Sequence, residues 1–237
     1  MHDSLAQFDE TTSTEAFALQ NSKLLKVSLR EVTIQAALGS MVAYQGDVKF
    51  EHAGSGGMSR MLKKAVTGEG AKLMKMSGSG EVFLAQQAKD VHVIQLENDK
   101  VTVNGSSLLA FDAGIDWSIE RVQGASSMMG GGLYNTALSG TGAVAILSDG
   151  PPVRLDVASA PTFADPQAAI TWSSGVTTSM KTDVSVKNLI GRGSGESFQM
   201  AFGGTGWVLV QPSEGVAMSD AASGSQGGGG LGGLLKG

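Results

Sequence analysis

A short glycine-rich strand signal occurs three times in this chain and limits its architecture more than any other feature. It reads Ser77-Gly78-Ser79-Gly80-Glu81-Val82-Phe83-Leu84. It returns as Ser139-Gly140-Thr141-Gly142-Ala143-Val144-Ala145-Ile146, and again as Gly203-Gly204-Thr205-Gly206-Trp207-Val208-Leu209-Val210. The second glycine advances by 62 positions and then by 64. Self-similarity at such a period marks repeated supersecondary units, none of which can bury its apolar face alone. Gly80, Gly142 and Gly206 are therefore expected at corresponding backbone positions, where a Cβ would clash or φ is positive.

A second signal recurs at steps of 67 and 61. Met41-Val42-Ala43-Tyr44 lines up with Leu108-Leu109-Ala110-Phe111 and with Ala169-Ile170-Thr171-Trp172, each closed within three residues by Gly46, Gly114 or Gly175. One aromatic per unit, Tyr44, Phe111 and Trp172, reads as the core of stacked β units rather than as a ligand box. Elsewhere Leu25, Val27 and Leu29 alternate with Lys26, Ser28 and Arg30. That is the period of a half-buried strand. A polar turn is expected at Glu97-Asn98-Asp99-Lys100. Asn104-Gly105 is a second turn, both residues tolerating positive φ, and Asp165-Pro166 takes its place in the third unit with different chemistry. Pro151-Pro152 marks the last unit boundary. The expected fold is all-β, three tandem units in one pseudo-threefold body resembling a sandwich or barrel. The units fall at about 21–90, 91–150 and 151–214. A flexible lead, 1–20, precedes them, with Phe17 and Leu19 opening a strand, and a glycine-rich flexible tail, 215–237, follows.

Composition removes several function classes. The chain has no Cys, so it carries no disulfide framework, thiolate metal site or Cys nucleophile. Its net charge of −5 argues against a general nucleic-acid binder. The acidic start has no basic residue before an apolar run and does not read as a signal peptide, and no apolar run is long enough to span a bilayer. The histidines His2, His52 and His92 lack metal-ligand spacing. There is no G-x-S-x-G elbow and no Gly-Lys of a phosphate loop. Gly191-Arg192-Gly193-Ser194-Gly195 has the makings of an anion wrap, yet it opens no helix and reads as a plain turn. The pairs Glu97/Asp99 and Asp112/Asp116 read as solvent contacts rather than acid–base partners. No catalytic residue, cofactor or metal is assigned.

One local feature departs from the background. Arg60, Lys63, Lys64, Lys72 and Lys75 form a basic stretch opposed only by Glu69. On a helical wheel Met58, Met61, Leu62, Ala65 and Val66 share one side, so Met58–Val66 is expected to form a short amphipathic helix. Its basic side suits an anionic membrane surface or an acidic partner. The plainer reading, which is favoured, is a helix capping the β body.

Three separated motifs resemble a known family. They are Gly39 to Phe50, then Thr67-Gly68-Glu69-Gly70 followed by Ser77-Gly78-Ser79-Gly80, then Gly195 to Ser213 with Phe202-Gly203-Gly204-Thr205-Gly206-Trp207 at its centre. The stretch 17–214 is similar to a widespread bacterial group, once a domain of unknown function, named after a mitochondrial protein whose loss alters mitochondrial inheritance. The resemblance implies three tandem β units like the subunit of the tryptophan-RNA-binding attenuation protein. It implies a role in inner-membrane organisation for the mitochondrial member, and no established reaction or catalytic residues for bacterial ones. The function expected is a non-enzymatic scaffold or binding protein. Its expected setting is cytoplasmic or membrane-peripheral, and it assembles with itself and a protein partner. The alternative is nucleic-acid binding by analogy with the attenuation protein, a weak warrant because fold alone does not carry function.

Overall fold

The computed structural model describes residues 2–30, 32–52, 73–121, 134–182 and 198–213. Within them the chain is all-β. Its described helices are one four-residue turn, α1 (His2–Leu5), and two three-residue 3-10 turns, Ala6–Phe8 and Gly105–Ser107. The segment 58–66 expected to be helical lies outside the described residues.

Three long central strands organise the sheet. The first is β5 (Leu73–Leu84). The hairpin β1 (Phe17–Asn21) and β2 (Leu24–Ser28) meets its C-terminal half, and β3 (Ile34–Ala37) meets its N-terminal half on the same side. Along its other side runs β4 (Met41–His52). The second central strand is β9 (Tyr134–Ser148), paired throughout with β6 (Asp90–Asn104). On its far side lie β7 (Leu108–Asp112) and β8 (Asp116–Arg121). In the third region the central line is broken. There β10 (Val153–Asp156) and β12 (Ala169–Ser173) flank β15 (Trp207–Val210), while β11 (Thr162–Ala164) and β13 (Val176–Thr182) flank β14 (Phe198–Gly204). Every pairing is antiparallel. The pairs β3·β7 and β6·β12 join the regions into a 12-stranded sheet, beside a 3-stranded sheet β11-β14-β13.

Alternation accounts for only part of the burial, since β2 and β5 also bury consecutive residues. Leu25, Val27 and Leu29 are fully buried, and on β5 Leu73, Met74 and Met76 enter the core at one end and Val82, Phe83 and Leu84 at the other. Three apolar clusters result. One is built on β2, β3 and β5, one on β6, β7 and β9, and one around Trp172, Met200 and Phe202.

The register repeats in detail. The aromatic strand breaks its ladder with a one-residue shift at Met41/Ala43, at Leu108/Ala110 and at Ala169/Thr171. Past the shift, Tyr44 lies opposite Val82, Phe111 opposite Val144, and Trp172 opposite Val208, each valine two residues after Gly80, Gly142 or Gly206. On the other side the Gly80 carbonyl accepts from Leu29 N at 2.8 Å and the Gly206 carbonyl from Val157 N at 2.9 Å, while Gly142 lies opposite Leu96. Leu29, Leu96 and Val157 are all buried.

Three details differ from the sequence reading. Glu97-Asn98-Asp99-Lys100 is not a turn. β6 runs straight through it with a bulge at Asn98, whose φ of 55° is left-handed and whose N–H donates to Thr141 Oγ1 at 3.0 Å. An extra residue in one strand bends it and increases its twist without reversing the chain. Asn104-Gly105 does turn, but without positive φ. Asn104 sits at φ −57° and its side-chain oxygen accepts from Ser106 N at 3.1 Å. Asp165 acts alike, accepting from Gln167 N at 2.7 Å, so the two turns share chemistry after all. Finally, Phe111 and Trp172 are core residues but Tyr44 is 50% exposed.

Candidate interaction surface

The basic residues Arg60, Lys63, Lys64 and Lys72, with Met58, Met61 and Leu62, lie outside the described residues. Lys75 is described. It sits on β5 opposite Glu51 of β4 and pairs with that carboxylate at 3.4 Å, both side chains half exposed. A pair so open to water is worth about 0–1 kcal/mol. Gly191-Arg192-Gly193-Ser194-Gly195 also falls outside the described residues.

The three glycines are crowded for different local reasons. A Cβ on Gly80 would fall on the Gln45 carbonyl oxygen of the adjacent β4, where Gly46 lies directly opposite. Gly142 has φ +146° and a Cβ there would stand 2.9 Å from Asp112 Cβ. Gly206 has φ +129° and a Cβ would strike Ser173 Oγ. These two side chains have a shared task. Asp112 Oδ2 accepts from Ala143 N at 3.1 Å, and Ser173 Oγ accepts from Trp207 N at 3.0 Å. In both places the aromatic strand breaks just beyond, at β7/β8 and β12/β13, and a side chain takes the N–H that the ladder no longer serves. β4 does not break, and Gln45, at the corresponding place, reaches instead to Glu10.

Glu10 belongs to a polar cluster on the face of β2 and β5. The Lys26 ammonium lies 3.1 Å from Glu10 and 3.0 Å from Glu81, and donates to the Thr11 carbonyl at 3.0 Å. Burial alone would lower the Lys26 pKa. The hydrogen bonds and charges of Glu81 and Glu10 outweigh it and raise it. The Glu10 carboxyl is held below its ordinary range, first by the Lys26 hydrogen bond. The cluster ties residues 9–11 down onto the sheet. His92 on β6 is half-buried, and burial lowers its pKa against the pull of Asp90. Ser148 Oγ donates to Gly150 O at 2.7 Å, so it accepts from His92 Nε2, 2.8 Å away. His92 is thus a packed strand residue.

What stands out is an uncovered apolar strip. Val42, Tyr44 and Phe50 on β4 are 59%, 50% and 42% exposed. Tyr44 and Phe50 stack edge to face at 5.2 Å. Among the described residues no strand pairs with the outer side of β4. Later in the chain β11 is also an outer strand, with Phe163 43% exposed under the Lys181 ammonium at 4.4 Å. The sequence reading missed Phe163. The available signal was an aromatic on a three-residue strand with no partner pattern beside it.

No group of three or more His, Cys, Asp or Glu able to hold a metal occurs among the described residues, nor any helix long and apolar enough to cross a membrane. The fold and surface therefore define an all-β protein with exposed apolar side chains on two outer strands, β4 and β11, among other places. The chain belongs to the family described as Mitochondrial biogenesis AIM24, whose model matches residues 17–213. Its fold is similar to a crystal structure of a Streptococcus pyogenes protein at 19% identity and a TM-score of 0.68, covering 87% of this chain and 94% of the other. No curated protein matches the chain.

Proposed function

We propose that this chain is a non-catalytic scaffold of three like β units that assembles with itself and offers the assembly to a protein partner. The observation that carries the reading is the repeated register. The same ladder shift, the same aromatic-to-valine pairing and the same crowded glycine recur three times along the chain. Each unit comprises a central strand, an inner strand on one side, which in the first two units meets the next unit, and an aromatic strand on the opposite side. Side chains in this arrangement are spent on packing and on closing backbone hydrogen bonds rather than on converging polar groups. The family description names a cellular process, not a reaction, which accords with that. A peripheral contact with an anionic membrane surface through the basic stretch 58–75 belongs to the same proposal and rests on sequence alone.

Light scattering coupled to size exclusion tests the reading. The expected mass at micromolar concentration is a multiple of the 24.2 kDa chain. A strictly monomeric mass across that range would overturn it.

A further inference from the structure

Two strand junctions inside the chain have one register. At the first, β3 meets β7 with Gln35 opposite Phe111, Ala36 opposite Ala110 and Ile34 opposite Asp112. At the second, β6 meets β12 with Thr102 opposite Trp172, Val103 opposite Thr171 and Val101 opposite Ser173. In each case the inner strand of one unit receives the aromatic strand of the next, and all the middle pairs, Gln35/Phe111 and Thr102/Trp172, are buried.

The chain carries the parts of a third such junction and leaves them apart. Measured against the central strands, Thr162-Phe163-Ala164 of β11 stands where Ile34-Gln35-Ala36 and Val101-Thr102-Val103 stand. Ala43-Tyr44-Gln45 of β4 stands where Ala110-Phe111-Asp112 and Thr171-Trp172-Ser173 stand. Yet among the described residues β11 pairs only with β14, and β4 only with β5. The aromatic that is buried at both made junctions is half exposed here as Tyr44, and its counterpart Phe163 is 43% exposed. Unpaired edges of this kind are ready templates for another strand.

We propose that β11 of one copy of this chain pairs with β4 of a second copy, in the register of the two internal junctions: Phe163 opposite Tyr44, Ala164 opposite Ala43 and Thr162 opposite Gln45. The interface is heterologous, β11 of one copy against β4 of the next, so it closes into a ring or runs on as a filament according to the rotation per copy. The proposal rests on the three-unit reading above and names its assembly surface.

The chain has no Cys, so engineered thiols report cleanly. Directly opposed residues of an antiparallel pair lie within the Cα separation that a disulfide bridges, about 4.4–6.8 Å. Tyr44→Cys and Phe163→Cys are made in separate chains of distinguishable mass, mixed at micromolar concentration and oxidised. The expected result is a disulfide dimer holding one of each variant, at least tenfold over the dimer either gives alone. Phe163→Lys, with an unchanged circular dichroism spectrum, is expected to reduce the wild-type mass toward a single chain. An assembled wild type whose mixed variants do not cross-link, or a chain carrying both Tyr44→Cys and Phe163→Cys that bridges within itself, overturns this interface while leaving self-assembly standing. A monomeric wild type overturns both.

Discussion

Phe111→Ala is expected to cost about 3–5 kcal/mol, the range for a large aromatic removed from a core that cannot collapse around the gap. Phe111 is completely buried on β7, held between Gln35 of β3 and Val144 of β9, and its ring meets Trp117 edge to face at 6.5 Å. Both flanking strands are fixed by their own ladders, so neither can move in to fill the space. Total stabilities near 5–15 kcal/mol make such a loss a large share of the whole. The corresponding Tyr44→Ala is expected to cost about 0.5–1.5 kcal/mol in a dilute, unassembled sample, because half of that side chain already meets water and its main loss is the edge-to-face contact with Phe50. Urea titrations read both. A lower midpoint at constant slope is the predicted Phe111→Ala result. Equal midpoints for the two variants would contradict the burial on which the account depends.

Gly80→Val is expected to destabilise by roughly 1–3 kcal/mol, for a backbone reason rather than a packing one. A Cβ at Gly80 would land on the carbonyl oxygen of Gln45, part of the ladder that holds β4 to β5, and a main-chain atom cannot rotate away as a side chain can. The opposed Gly46, with φ +89°, shows that both strands give up side chains at this crossing. Gly114→Ala is the control, since a Cβ there meets nothing within 4 Å. It is expected to melt within about 0.5 kcal/mol of wild type. A Gly80→Val melt indistinguishable from that control would remove the close approach as the reason for the glycine.

Much of the architecture was legible because it depends on local pattern. Period-2 alternation located β2, the glycine signals located the C-terminal halves of β5 and β9 and all of β15, and the Asn104 turn was found although its geometry was misjudged. The bulge at Asn98 was not legible. Four polar residues in a row suit a turn and an exposed bulge equally, and only the long-range ladder with β9 decides between them. The covering of Lys26 was hidden for a similar reason, since it depends on Glu10 and Thr11 arriving from 15 or 16 residues earlier. The candidate surface was the least legible part. Tyr44, Phe111 and Trp172 look alike in sequence. What separates them is that two lie on strands paired on both sides and one lies on an outer strand. The basic stretch drew attention for its charge, yet the uncovered apolar strip lies on β4, where an ordinary strand pattern gave no warning.

The central claim is that the outer edges of β4 and β11 are joined between copies. Backbone hydrogen exchange tests it most directly, read by mass spectrometry on peptides covering Met41–Gln45 and Thr162–Ala164 at high and low protein concentration. The account predicts slow exchange at both edges in the concentrated sample and faster exchange on dilution, with Leu108–Asp112, paired on both sides within one chain, protected throughout. Rapid exchange at both edges at every concentration would contradict it.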